Sequence, residues 1–243
     1  MRAIRPSGAA RRLLAISVAV LTAGIGLVAG GPAAHAGPSC SGAAQAITLV
    51  NGWHSENSVY DTGDPSVCLE NDGMVYLSGS AAAPSGSSEE FGTLPVWDWP
   101  EHNLYFDVYT LNSTYGVLLI ETNGTMWTYG GSGESTGYLS LAGVSYPDPA
   151  VSLTDVTLEN GWTSADSLYA TGDPAYAITS GVVHLAGSMW RPAGSPVGVP
   201  NGVDSAVLPS QAVPPARCFD ALSYNYDGSL WRVGIQQSTG RCP

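Results

Sequence analysis

Three pairs of carboxylates stand close enough in the sequence to serve as the acid and base of a glycosidase: Glu89-Glu90, Asp61 with Asp64, and Asp98 with Glu101. All lie in stretches rich in Gly, Ser and Pro, where adjacent acids are usually solvated turn residues. Serine is abundant, yet no G-x-S-x-G nucleophile elbow occurs. After residue 36 the histidines are His54, His102 and His184, scattered and paired with no obvious nucleophile, so a triad is not expected. The residues name no reaction, and the chain reads as a non-enzyme.

Aromatic residues carry a stronger signal. Trp97-Asp98-Trp99-Pro100 follows Leu94-Pro95 in a loop. Period two would place both tryptophans on one side and Asp98 on the other. Flat rings beside polar acceptors suit sugars, whose C–H faces meet the ring while hydroxyls take the polar neighbours. The candidate ligand contacts are Trp97, Asp98, Trp99, Glu101 and Tyr76; the alternative is that one or both tryptophans cap the core. A Thr-Gly-Asp-Pro motif invites calcium through Asp64 and Asp173, but it lacks the dense alternating oxygens of a calcium loop. A turn in which Asp bonds its own backbone is the better reading. No cofactor or dedicated metal site is expected, with an adventitious calcium near Asp61, Asp64 and Asp72 left open.

Residues 1–36 read as an export signal. Arg2, Arg5, Arg11 and Arg12 form a basic start, Leu13 to about Gly30 an apolar run, and Ala34-His35-Ala36 an A-x-A cleavage site. Losing those four arginines moves the net charge from −12 to −16. There is no lysine, and Gly37–Ala150 carries thirteen acids and no base. Such a surface repels phosphate backbones and anionic headgroups, so neither nucleic acid nor a membrane surface is an expected partner. No membrane insertion is expected after signal cleavage, and the mature chain should be secreted. Cys40, Cys68, Cys218 and Cys242 all lie in the exported part. An even count outside the cytoplasm reads as two disulfides, with Cys40–Cys68 and Cys218–Cys242 favoured among three connectivities.

The elements that must position these residues come twice. Thr48–Pro65 (TLVNGWHSENSVYDTGDP) returns 109 residues later as Thr157–Pro174 (TLENGWTSADSLYATGDP), identical at twelve of eighteen positions. That period is the size of a small domain, not of a solenoid unit. Each copy continues with apolar runs split by turn signals. Ser66–Glu70 and Met74–Ser78 flank Asn71-Asp72-Gly73; Ala175–Thr179 and Val182–Ala186 flank Ser180-Gly181. Alternation puts Val75 and Leu77 on a core face and Tyr76, with His184 in the copy, on the other. Val117–Thr122 and Thr125–Tyr129 flank Asn123-Gly124, a strong hairpin cue, and Leu222–Tyr226 with Ser229–Val233 around Asp227-Gly228 is read as its counterpart. Leu139–Tyr146 reads as one closing strand, without an equal in the second copy. Ser78–Glu90 and Arg191–Val207 read as loops. Trp53 and Trp162, each after an Asn-Gly turn, read as structural.

The first copy resembles a known family at this point. Asn51-Gly52-Trp53, Gly73-x-Val75-x-Leu77-x-Gly79, Gly92-Thr93-Leu94-Pro95, Asn123-Gly124 and Leu139-Ser140-Leu141-x-Gly143-x-Ser145-Tyr146 follow one another as in the C-terminal β-domain of phage tail-fibre and receptor-binding proteins. The resemblance covers most of Leu49–Pro147 and thins in the second copy after Gly187. It implies a compact antiparallel β-sandwich or jelly-roll, often trimeric, that touches cell-surface glycan. It offers no catalytic residues to carry over. The signal peptide, the cysteines and the doubled domain depart from that family.

The expectation is therefore an all-β chain: a signal peptide over 1–36, one β-domain over 37–148, and a second, abbreviated one over 149–243. The expected function is non-enzymatic binding of an extracellular or cell-surface glycan. The alternative is a structural or protein-interaction module whose doubled domain supplies valency or an oligomer surface. A glycoside hydrolase ranks last.

Overall fold

The structure, a computed structural model, describes residues 43–85, 87–110, 114–130, 137–191, 205–213, 218–224 and 230–236. The expected signal peptide, Cys40, Cys242 and the Cys218 side chain lie outside what the structure describes. The chain is all-β, and every described strand pairing is antiparallel.

The repeated eighteen residues form a closed local unit, which explains why they recur together. In the first copy the chain runs through β2 (Thr48–Leu49), a turn, β3 (His54–Ser55) and a single helical turn α1 (Asn57–Tyr60). Asn51 and Gly52 both take positive φ, as a type I′ turn demands, and so do Asn160 and Gly161. Asn57 Oδ1 accepts from the Gly63 amide at 2.9 Å; Asp166 does the same for Gly172 at 2.7 Å, at the start of α2 (Asp166–Tyr169). The Thr-Gly-Asp-Pro segment then passes over a glycine of the next hairpin. A Cβ on Gly79 would lie 2.4 Å from the Asp64 carbonyl, and one on Gly187 2.2 Å from that of Asp173. Among the described residues Asp64 makes a side-chain bond to Ser55 in place of the expected bond to its own backbone. Its Oδ1 accepts from the Ser55 hydroxyl at 2.5 Å, because β3 runs alongside.

Both hairpins read from turn signals form. β4 (Ser66–Leu69) pairs with β5 (Met74–Ser78), and β9 (Thr114–Ile120) with β10 (Thr125–Gly130). A four-stranded sheet has the order β1 (Gln45–Ala46), β4, β5, β12 (Ser145–Pro147). An eight-stranded sheet has the order β2, β7 (Glu90–Thr93), β10, β9, β8 (Leu104–Thr110), β11 (Tyr138–Ser140), β6 (Ser80–Ala82), β3. Its edge strands, β2 and β3, are joined by the Asn51-Gly52 turn, so the sheet curls almost closed. The core lies between the two sheets: Val67, Val75, Leu77 and Tyr146 from one meet Phe91, Leu118, Ile120, Met126 and Leu139 from the other. Trp53 is buried there beside Phe91, with its indole N–H donating to the Ser88 carbonyl at 2.9 Å, a structural role as expected.

Two expected elements differ. Leu139–Tyr146 is not one strand but two, β11 and β12, in different sheets. A turn closed by the Val144 amide on the Leu141 carbonyl, with Gly143 at φ +87°, carries the chain across. Ser78–Glu90 is not all loop: β6 lies within it, its small buried residues filling the space between β3 and β11.

The second repeat reproduces the first in order until it stops. β13 (Thr154–Asp155), β16 (Ala175–Thr179) and β17 (Val182–Ala186) form one sheet; β14 (Thr157–Leu158) pairs with β19 (Ala206–Val207), and β15 (Thr163–Ser164) with β18 (Met189–Trp190). The last hairpin, β20 (Cys218–Tyr224) with β21 (Leu230–Gln236), begins six residues after a 3-10 turn at Ser210–Ala212. β8 likewise begins six residues after the 3-10 turn at Val96–Asp98. It thus corresponds to β8–β9, not to β9–β10 as read from Asp227-Gly228. Among the described residues nothing corresponds to β10, β11 or β12. β10 and β11 tie the first repeat's strand pairs into the eight-stranded sheet; among the described residues of the second repeat the counterpart of that sheet is three separate two-stranded pieces, β14–β19, β15–β18 and β20–β21. Leu77 is 4 % exposed, but Leu185, in the same place on β17, is 45 % exposed.

Candidate functional site

The Trp-Asp-Trp motif does not form a strand. Pro95 starts a 3-10 turn over Val96–Asp98, and three residues per turn point the two tryptophans in different directions. Trp97 faces solvent, 80 % exposed. Trp99 packs against the core, and its indole N–H donates to the Leu94 carbonyl at 3.0 Å. The Trp99 ring lies on Gly124 of the β9–β10 turn, where a Cβ would come within 2.1 Å of Nε1 at a φ of +78°. The Asn-Gly turn is thus both the hairpin's bend and the floor beneath this indole.

Asp98 points inward. It is 1 % exposed, and its Oδ2 has no hydrogen-bond partner among the described residues. Its backbone carbonyl accepts from the Tyr146 hydroxyl at 2.5 Å. Burial first, then the nearby Asp148 carboxylate, pushes the Asp98 carboxyl above its ordinary range. Tyr146 is pushed up by its own burial and by both carboxylates. The turn that presents Trp97 is therefore fastened on two sides, by Trp99 on Gly124 and by Tyr146 on Asp98.

The remaining candidates lie elsewhere. Tyr76 stands half-buried on β5, in the other sheet, with its hydroxyl donating to Asp72 Oδ2 at 3.0 Å. Asp72 also accepts from the Met74 amide at 2.9 Å. His184, which takes Tyr76's place in the second repeat, has its imidazole pKa lowered by burial, opposed by Asp72. His54 pairs with Glu56 at 2.9 Å at the surface. Glu101 and His102 line a cleft of about 440 Å³ between the repeats, with Tyr146, Asp148, Asp166 and Asp173 among its other walls. Across this junction the Asn103 amide donates to the Ala170 carbonyl at 2.8 Å, and its side-chain Nδ2 donates to the Tyr169 carbonyl at 3.4 Å. Among the described residues no three His, Cys, Asp or Glu side chains converge to hold a metal ion.

Sequence reasoning missed Tyr146 and Gly124 as the supports of the Trp97 turn. Each carried a signal, the final Tyr of the SLxGxSY run and the Asn-Gly pair, but period and turn type report what an element is, not what it touches. Comparison with known proteins finds no matching family model, no similar curated protein and no similar solved structure.

Proposed function

We propose that the chain is a secreted, non-enzymatic β-protein that binds an extracellular or cell-surface glycan through the Trp97 ring. The observation that carries this reading is a fully presented indole on a turn anchored to the core on both sides. A large exposed aromatic held in place loses little conformational entropy on binding, and its π-face accepts the C–H face of a sugar. Asp98 supports the platform from beneath and does not touch the ligand. A glycan array probed with the purified exported protein and its Trp97→Ala variant, with and without calcium, tests the reading. Binding confined to one sugar class and lost in the variant supports it. Unchanged binding by the variant removes Trp97 from the site, and silence across the array removes the function.

A second reading, a protein-interaction module of the cell exterior, draws support from one observation. Ile178 and Leu185 leave apolar side chains exposed on one face of the β16–β17 hairpin. Contiguous exposed apolar surface marks interaction sites.

A further inference from the structure

The segment that carries Trp97 is fastened to the β9–β10 turn through Leu94 and Trp99; at the other end of β9 a second group of aromatics gathers from four separate elements. Tyr60 of α1 meets Tyr138 of β11 edge-on, with ring centroids 5.0 Å apart. Tyr138 meets Tyr109 of β8 in the same manner at 6.2 Å. Tyr109 is in turn the direct cross-strand partner of Tyr115 on β9, so their side chains share a face of the sheet. Tyr138 is buried at the centre, while Tyr60, Tyr109 and Tyr115 are between 45 % and 52 % exposed.

We infer that this tyrosine strip is a second ligand-binding surface, and that it takes an extended, neutral polysaccharide chain. The inference rests on the glycan-binding reading and adds the ligand's class and length. The Tyr60, Tyr138 and Tyr109 rings are already in contact and need no ordering on binding, so that part of the surface is pre-formed. Each ring carries a hydroxyl at its rim, which suits a partner offering C–H faces and hydroxyls together rather than a purely apolar peptide. The four residues bear no charge, and the mature chain is strongly acidic, which disfavours an anionic polymer. Rings drawn from α1, β11, β8 and β9 in succession offer more length than one sugar covers. The second repeat has Ser223 at the position of Tyr109, so the strip belongs to the first repeat alone.

The test is calorimetric titration of the purified exported protein with cello- and chito-oligosaccharides of two to eight units. The titration is repeated on Tyr60→Ala/Tyr115→Ala and on Trp97→Ala, with near-ultraviolet circular dichroism and sedimentation equilibrium to report fold and assembly. Both tyrosines are half-exposed, so the double variant is expected to fold, and the circular dichroism spectrum checks it. Affinity that rises with chain length in the wild type, and falls at least tenfold for the longer chains in the tyrosine variant, is the expected result. If that length dependence survives in Trp97→Ala, the strip stands even where the Trp97 site fails. Equal binding by the tyrosine variant and the wild type, with loss only in Trp97→Ala, overturns the strip and leaves the Trp97 reading intact. A wild-type dimer abolished in the tyrosine variant, without any saccharide binding, assigns the surface to a second copy and overturns the inference. Absence of binding by every form to every chain overturns it as well.

Discussion

Asp98 and Ala212 occupy the same place in the two repeats: each ends a 3-10 turn that follows a Leu-Pro pair, and each is buried. One repeat fills that pocket with a methyl group and the other with a carboxyl whose Oδ2 is unpartnered among the described residues. The fold therefore does not need the acid, and the second repeat supplies a natural control for it.

Asp98→Ala should stabilise the protein at neutral pH. A carboxyl raised above its ordinary range keeps its proton longer in the folded state than in the unfolded one. Stability is then full below about pH 4, the ordinary Asp range, and is lost as pH rises from there through the folded-state pKa. Removing an unsatisfied buried acid should return about 1–2 kcal/mol at pH 7 and flatten that slope. Urea midpoints measured from pH 3.5 to 8 decide it; parallel curves for wild type and variant would show that the carboxyl is not the cause.

Trp97→Ala and Trp99→Ala should separate binding from stability. Trp97 makes its surface to solvent, so its loss should change stability by no more than about 0.5 kcal/mol. Trp99 packs on the core and bonds the Leu94 carbonyl, so its truncation should cost about 3 kcal/mol. Equal losses in a urea titration would mean that Trp97 is a packing residue and that the ligand platform lies elsewhere.

The two hairpins of the first repeat were legible because Asn-Gly and Asn-Asp-Gly turns announce themselves and their flanking runs are long enough to show alternation. β6 was not, since Ser80-Ala81-Ala82 is too short to show a period and its small residues were chosen by the space between β3 and β11. The break in Leu139–Tyr146 hinged on one glycine, Gly143, whose positive φ cannot be told from sequence. The Trp97 platform was half legible. Residue type marked it as a candidate, but only a 3-10 turn, not a strand, separates an exposed Trp97 from a core-packed Trp99.

Gly79→Ala and Gly143→Ala should differ although both glycines hold φ near +86°. Gly143 has open space where a Cβ would go, so alanine there meets only the backbone penalty of about 1 kcal/mol. At Gly79 the new carbon would also collide with the Asp64 carbonyl. The Gly79 variant should be clearly the less stable in thermal melts. Identical shifts would mean that the Asp64 segment yields without cost and does not hold β5 in place.

Cys68 should be joined to Cys40. Sequence position favours this pair, and among the described residues no cysteine is a free thiol. Closing a loop of that size stabilises by about 3–4 kcal/mol on the chain-entropy view. Non-reducing peptide mapping should return the Cys40–Cys68 peptide. Cys40→Ala, Cys68→Ala and the double variant should all lose the same amount, whereas additive losses would exclude the bond.

Asn103→Ala should uncouple the repeats. Its side chain donates to the Tyr169 carbonyl in one repeat and accepts from the Thr122 amide at 3.3 Å in the other, beside the backbone bond to Ala170. Losing both side-chain bonds should cost about 1–2 kcal/mol, and the cost should fall on the junction rather than on either core. The second repeat, with Ile178 and Leu185 already exposed on the face that packs the core in the first repeat, should then melt first. Calorimetry should show one transition for the wild type and two for the variant. A single unshifted transition in both would show that the cleft residues and the Pro147–Pro149 segment hold the repeats together without Asn103.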